Sequence, residues 1–132
     1  MEELKRRLTL ARRALATLRE VLAEPKTAIT RDAAIQRFEY SFETTWKAAQ
    51  RLLRDVEGLD RGSPASVIRA THGVSLLDEA AARRGLEMVR DRNLTVHTYN
   101  ERLAEEIYGR LESYLELMES WLSAIERHGA GR

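Results

Sequence analysis

The sequence contains no cysteine. That excludes thiol nucleophiles, disulfide staples and cysteine-based zinc sites, and it suits a reducing compartment. No stretch approaches the roughly 18 consecutive apolar residues that a membrane-spanning helix needs. Met1 opens an acidic, arginine-rich segment, MEELKRR, with no apolar signal core after it. We therefore expect a soluble cytoplasmic protein without a leader. Charge of one sign is also missing. The net charge is +1 with 33% charged residues, which excludes a strongly basic nucleic-acid scaffold but leaves a local basic site open. Lysine is scarce, confined to Lys5, Lys26 and Lys47, so the cations are nearly all arginine. Arginine suits bidentate phosphate recognition, although over the whole chain its abundance reads as plain composition. There is no strand-like alternation, no glycine-rich phosphate loop and no internal repeat.

What remains is helical periodicity in a chain of 132 residues, the size of one domain spanning 1–132. Leu4, Leu8, Ala11, Leu15, Leu18 and Leu22 recur at alternating steps of 4 and 3, one face of a helix ending near Ala23. Pro25 disfavours helix at Glu24. Thr30 is placed to cap a second helix, with Asp32 in its first turn. That helix runs from about Arg31 to Val56 on the stripe Ile35, Phe38, Phe42, Trp46, Ala49 and Leu53, and stops near Gly58. Ser63-Pro64 is a cap followed by proline at the first helical position, opening a short helix from Ala65 to His72 that ends at Gly73. A further helix carries Leu76, Leu77, Ala80, Ala81, Met88 and Val89, weakened at Gly85 by up to about 1 kcal/mol relative to alanine. The last helix holds Leu103, Ile107, Leu111, Tyr114, Met118, Trp121 and Ile125, and Leu115, Leu117 and Leu122 widen its apolar face. So broad a stripe is expected to turn partly toward another chain. The HGAGR tail is expected to fray. These elements predict an all-α, antiparallel up-and-down four-helix bundle with one short extra helix.

The candidates for chemistry are few. Of the 3 histidines, His128 lies in the tail, and His72 sits at a helix end where a cation complements the dipole. No two histidines have metal-ligand spacing. Glu39 and Glu43 lack a histidine at i+3, so they read as polar flanks of the aromatic stripe, not as a di-metal site. Phe38, Phe42 and Trp46 read as core. The stretch VRDRNLTVHTYNE, residues 89–101, stands apart. Arg92 and His97 would be about 140° apart on a continuous helix, so they converge only across a chain break or between two chains. Thr98-x-x-Glu101 is a capping-box pattern, and a helix starting near Thr98 would set His97 and Tyr99 at its positive end, where phosphate is favoured. Histidine moves protons near neutral pH, and arginine keeps its charge. A polar turn between helices explains the same Asn93, Thr95, Thr98 and Asn100 without any chemistry.

Arg92-Asn93-Leu94-Thr95-Val96-His97-Thr98-Tyr99 resembles the Arg-x4-His-x-Tyr motif of the HEPN superfamily, in its HepT-like branch. The second helix from Ile35 through Phe38-Glu39 and Phe42-Glu43 to Trp46-Lys47, with Ser63-Pro64 and Tyr99-Asn100-Glu101, is similar to that branch too. More narrowly, the chain resembles nucleotidyltransferase substrate-binding proteins. The resemblance covers nearly the whole chain and implies a HEPN-like four-helix up-and-down fold. It also implies a metal-independent ribonuclease that needs no cofactor, in which the RNA 2′-hydroxyl attacks the adjacent phosphate and a homodimer brings two motifs together. Arg92 would bind phosphate, His97 would move the proton and Asn93 would support them. The implied partner is a minimal nucleotidyltransferase antitoxin that adenylylates the motif tyrosine, here Tyr99. Added negative charge and bulk would then block RNA. The rival implication is a noncatalytic subunit presenting substrate to a nucleotidyltransferase. A further alternative is an interaction module that docks through the last-helix face and Trp121.

Overall fold

A computed structural model describes residues 2–131. Helices α1 (Glu2–Leu22) and α2 (Ala28–Leu52) are followed by α3 (Pro64–Gly73), α4 (Glu79–Leu94), α5 (Glu101–Tyr108) and α6 (Leu111–Ala130). A π-helical turn, Leu53–Glu57, extends α2, and a 3-10 turn, Thr95–His97, follows α4. No strand occurs among the described residues. Among the described residues no helix is long and apolar enough to cross a membrane.

The core lies where α1, α2 and α6 meet. The stripe of α1 points inward through Leu4, Ala11, Leu15 and Leu18, with Val21 completing it while Leu22 is half-buried. Cross-links set the directions. Arg7 donates to the Lys47 carbonyl and Arg37 to the Thr17 carbonyl, so α1 and α2 run antiparallel. Arg12 pairs with Glu126 and Arg19 with Glu119, so α1 and α6 do likewise. With α4 these make the up-and-down set of four, and α3 packs on α4. Gly85 permits that approach: a Cβ there would lie 3.2 Å from Ile68 Cγ2.

Local chemistry departs from the expected boundaries in several places. The N-cap of α2 is Thr27, not Thr30, and the helix starts at Ala28. Thr30 is the third helical residue and returns the bond, its hydroxyl accepting from the Thr27 backbone N–H at 2.7 Å. Asp32 therefore lies beyond the first turn and pairs with Arg31. Gly58, at φ 69°, stops the π turn in the left-handed conformation that glycine adopts without strain. Ser63-Pro64 opens α3 as expected, with Ser66 completing a capping box.

The expected last helix is two helices. It breaks at Gly109-Arg110 although Ile107, Leu111 and Tyr114 stay in phase as buried positions. The extra short helices thus number two, α3 and α5. The broad face of α6 is not left over for another chain. Leu115, Leu117, Trp121 and Leu122 are all buried within this one. Trp121, 1% exposed, cannot serve as a docking residue. The tail does not fray up to Ala130: Gly129 is buried, and His128 Nε2 lies 2.7 Å from Glu57 Oε2. Arg132, the end of HGAGR, and Met1 lie outside the described residues.

Candidate functional site

The motif occupies the end of α4, the 3-10 turn and the approach to α5. Asp78 caps α4, its carboxylate accepting from the Ala81 N–H at 2.7 Å. The helix then buries Met88 and Asp91 on one side, and Thr95 follows them inward at its end. That spacing leaves Arg92 half-buried at the edge, facing α2. Arg92 Nη1 donates to Thr95 Oγ1 at 3.2 Å and lies 3.5 Å from Glu39 Oε2. The single Thr95 hydroxyl proton is within reach of the Arg92 carbonyl, at 2.7 Å, and of Glu39 Oε2, at 3.1 Å. Arg92 Nε is enclosed with no hydrogen-bond partner among the described residues. A buried donor in that state gains from any acceptor brought to it.

The helix breaks between Arg92 and His97, one of the two ways in which the pair could converge, but the next helix starts two residues later than the capping pattern suggests. Asn100 caps α5, its side chain accepting from the Leu103 N–H at 3.2 Å. Thr98 does not cap; its hydroxyl donates to the Thr95 carbonyl at 2.9 Å, closing the 3-10 turn. His97 therefore rides on that turn, not on a helix N-terminus. It is exposed, and its Nδ1 lies 3.3 Å from the Tyr99 hydroxyl. The two rings meet edge-on, 5.9 Å apart at 80°. Tyr99 is 82% exposed and Asn93 is exposed on the last turn of α4.

The structure thus brings together two pairs, Arg92 with Glu39 through Thr95, and His97 with Tyr99. No hydrogen bond or ion pair joins Arg92 to His97 among the described residues. Sequence reasoning named Glu39 and Thr95 but gave neither a role at the site. Glu39 was expected to be only a polar flank of the aromatic stripe. Its position immediately after buried Phe38 set it at the rim of the core, but its partner is 53 residues distant along the chain, a pairing that periodicity does not encode. Glu43 keeps the expected surface role, pairing with Lys47 at 3.6 Å.

Two further contacts hold the motif's frame. Asp91, the residue before Arg92, has no exposure; Arg110 Nε donates to it at 2.6 Å and the Tyr114 hydroxyl at 2.6 Å. Burial, then the Asp91 carboxylate, push the Tyr114 hydroxyl well above its ordinary value. The Arg110 bond fixes the α5–α6 break. At the far side, buried Arg31 donates to Glu101 Oε2 at 2.7 Å and to Glu105 Oε2 at 3.0 Å, and Lys26 also pairs with Glu105. Arg31 holds the Glu101 carboxyl below the usual carboxylate range, and Lys26 and Arg31 do the same to Glu105. His72 stands apart from the site. Its Nδ1–H donates to the Leu77 carbonyl at 2.8 Å and closes the α3–α4 turn.

The family described as "Nucleotidyltransferase substrate binding protein like" matches residues 6–127. Several solved structures share the fold. A Thermus thermophilus protein is 53% identical with a TM-score of 0.84, covering 87% of this chain and 98% of that one. A Shewanella oneidensis protein, described as a tri-AMPylated HEPN toxin in complex with MNT antitoxin, gives 0.77 at 16% identity, covering 94% and 96%. A Haemophilus influenzae protein, described as revealing the fold of a substrate binding domain of a nucleotidyltransferase, gives 0.77 at 19% identity, covering 90% and 98%. No curated protein matches the chain.

Proposed function

The chain belongs to the nucleotidyltransferase substrate-binding-like family, and from that premise we propose that it is a metal-independent HEPN-type ribonuclease, the toxin of a pair whose antitoxin is a minimal nucleotidyltransferase. The observation that carries this reading is the arrangement of the motif. Arg92 has an enclosed, unpartnered Nε beside its Nη1, and His97 is exposed on an adjacent turn with its Nδ1 beside the Tyr99 hydroxyl. Arg92 binds and neutralises the scissile phosphate, His97 moves a proton, and Asn93 supplies a further polar contact to RNA. The products are a 2′,3′-cyclic phosphate and a free 5′-hydroxyl. Tyr99, 82% exposed and in contact with His97, is the residue the partner adenylylates. An adenylate there places bulk and negative charge against the catalytic imidazole and repels RNA. Val96, 66% exposed next to the site, is apolar surface that a second copy covers in a homodimer, setting two motifs side by side.

The test is incubation of the purified protein with tRNA and total RNA in EDTA, beside His97→Ala. Cleavage by the parent alone, leaving cyclic phosphate ends, is the expected result. If a folded, dimeric parent leaves RNA intact, the noncatalytic reading takes over. In that case the chain presents substrate to a nucleotidyltransferase, and Tyr99 is a contact residue. The HEPN toxin–antitoxin complexes among its structural neighbours weigh toward the first reading.

A further inference from the structure

Cleavage by a 2′-hydroxyl moves two protons, one off the attacking oxygen and one onto the leaving 5′-oxygen. A guanidinium does not give up its proton in such chemistry, so Arg92 serves neither transfer. His97 can serve one of them in a given turnover. A second group is needed, either the His97 of a second copy or a group of the same chain, and the surroundings of the motif restrict the latter choice. Asp91 is fully buried and held by Arg110 and Tyr114, out of reach of substrate. Glu101 and Glu105 are locked onto Arg31. Glu43 is engaged by Lys47. Glu39 alone among these carboxylates touches Arg92, at 3.5 Å, while remaining partly exposed.

We propose that Glu39 is the general base of the site and His97 its general acid, a role that rests on the ribonuclease reading above. Glu39 reaches across from α2, and its Oε2 is oriented by Thr95 Oγ1 at 3.1 Å. Thr95 opens the 3-10 turn that ends at His97, so one three-residue turn connects the two proton-transfer groups. A phosphate bound at Arg92 brings its neighbouring 2′-hydroxyl to the carboxylate that Arg92 already contacts. Glu39 takes the 2′-hydroxyl proton while the 2′-oxygen bonds to phosphorus. The bond from phosphorus to the 5′-oxygen breaks with its electron pair, and protonated His97 delivers a proton to that oxygen. Arg92 stabilises the added charge at phosphorus throughout.

A leaving-group substitution separates base from acid. An RNA oligonucleotide with a 5′-bridging sulfur at one linkage releases a thiolate, which leaves without protonation. The full-length protein in EDTA is assayed on this substrate and on its oxygen parent. Glu39→Gln, which keeps the Thr95 hydrogen bond but takes no proton, should lose about 100-fold or more on both. His97→Ala should lose comparably on oxygen and recover on sulfur. Glu39→Gln should bind a 2′-deoxy version of the RNA as tightly as the parent, with unchanged helical circular dichroism. Three outcomes overturn the assignment: a Glu39→Gln enzyme that cleaves at the parent rate, one rescued by sulfur, or one that loses deoxy-RNA binding together with cleavage. A parent that cleaves neither substrate removes the ribonuclease reading and this role with it. A parent that cleaves while Glu39→Gln also cleaves removes only this role.

Discussion

Asp91 shows how a buried charge is kept tolerable beside a working surface. Its carboxylate accepts from Arg110 at 2.6 and 3.1 Å and from the Tyr114 hydroxyl at 2.6 Å. Tyr114 in turn stacks on Phe38, with ring centroids 5.6 Å apart. Phe38 and Asp91 immediately precede Glu39 and Arg92, so this buried set fixes the two backbones whose next residues meet at the site. Removing one partner leaves the others desolvated and unpaired. Asp91→Ala should therefore cost about 3 kcal/mol or more of unfolding free energy in a urea titration. Tyr114→Phe removes one hydrogen bond to a charged acceptor and leaves the ring stacking, so it should cost about 1.5–3 kcal/mol. Equal midpoints for parent and Asp91→Ala would show that the trio holds nothing. None of this was visible in the sequence, where Asp91 reads as one more charge in an arginine-rich run. Its burial follows from facing α6, a tertiary contact that local pattern does not encode.

Helix α5 has only 8 residues, too short to persist on local propensity. It buries Ala104 and Ile107, and its outer side is pinned by Arg31 and Lys26 through Glu101 and Glu105. Both carboxyls are held below their ordinary value in the folded chain, so their contribution is present at neutral pH. It is lost as pH falls through the depressed folded values. On acidification, α5 amides should lose hydrogen-exchange protection before those of α1 and α2. Arg31→Met should bring the same loosening at neutral pH. Protection of α5 that tracks global unfolding at every pH would refute a separately pinned element. The ends of the elements show which signals are local. Ser63-Pro64 starts α3 where it should, because cap and proline act within one turn. The two-helix ending was not legible: Ile107, Leu111 and Tyr114 keep helical spacing across Gly109-Arg110, and no proline marks the turn that Arg110's bond to Asp91 holds. Likewise Thr27 and Thr30 both suit a cap, and only the reciprocal bond between them decides which residue lies outside the helix.

Across the whole molecule, the helical class and the up-and-down order follow from stripes on four long segments. The destination of α6's broad face did not, because one sequence does not say whether a wide apolar surface meets its own chain or another. It meets its own, and among the described residues the large apolar side chains left exposed are Leu10, Ile29, Tyr40, Val96 and Tyr99, the last two of them beside the motif. A dimer formed there either completes the site or merely doubles it. The contact between Glu39 and Arg92 lies within one chain, and Thr95 connects it to the turn that carries His97. On the assignment proposed above, each chain would carry its own base and acid, and a dimer would not be needed to complete the site. Mixing subunits tests this. Glu39→Gln and His97→Ala chains, each inactive alone, are co-expressed with different tags and the mixed dimer is isolated. If each site draws both groups from one chain, both sites of the mixed dimer are defective and it stays inactive. If Glu39 of one chain works with His97 of the other, one of the two symmetric sites is intact. The mixed dimer then cleaves at about half the parent rate, as two-fold symmetry requires. Such recovery would move the catalytic unit from the chain to the pair, and a protein active as a monomer would move it back.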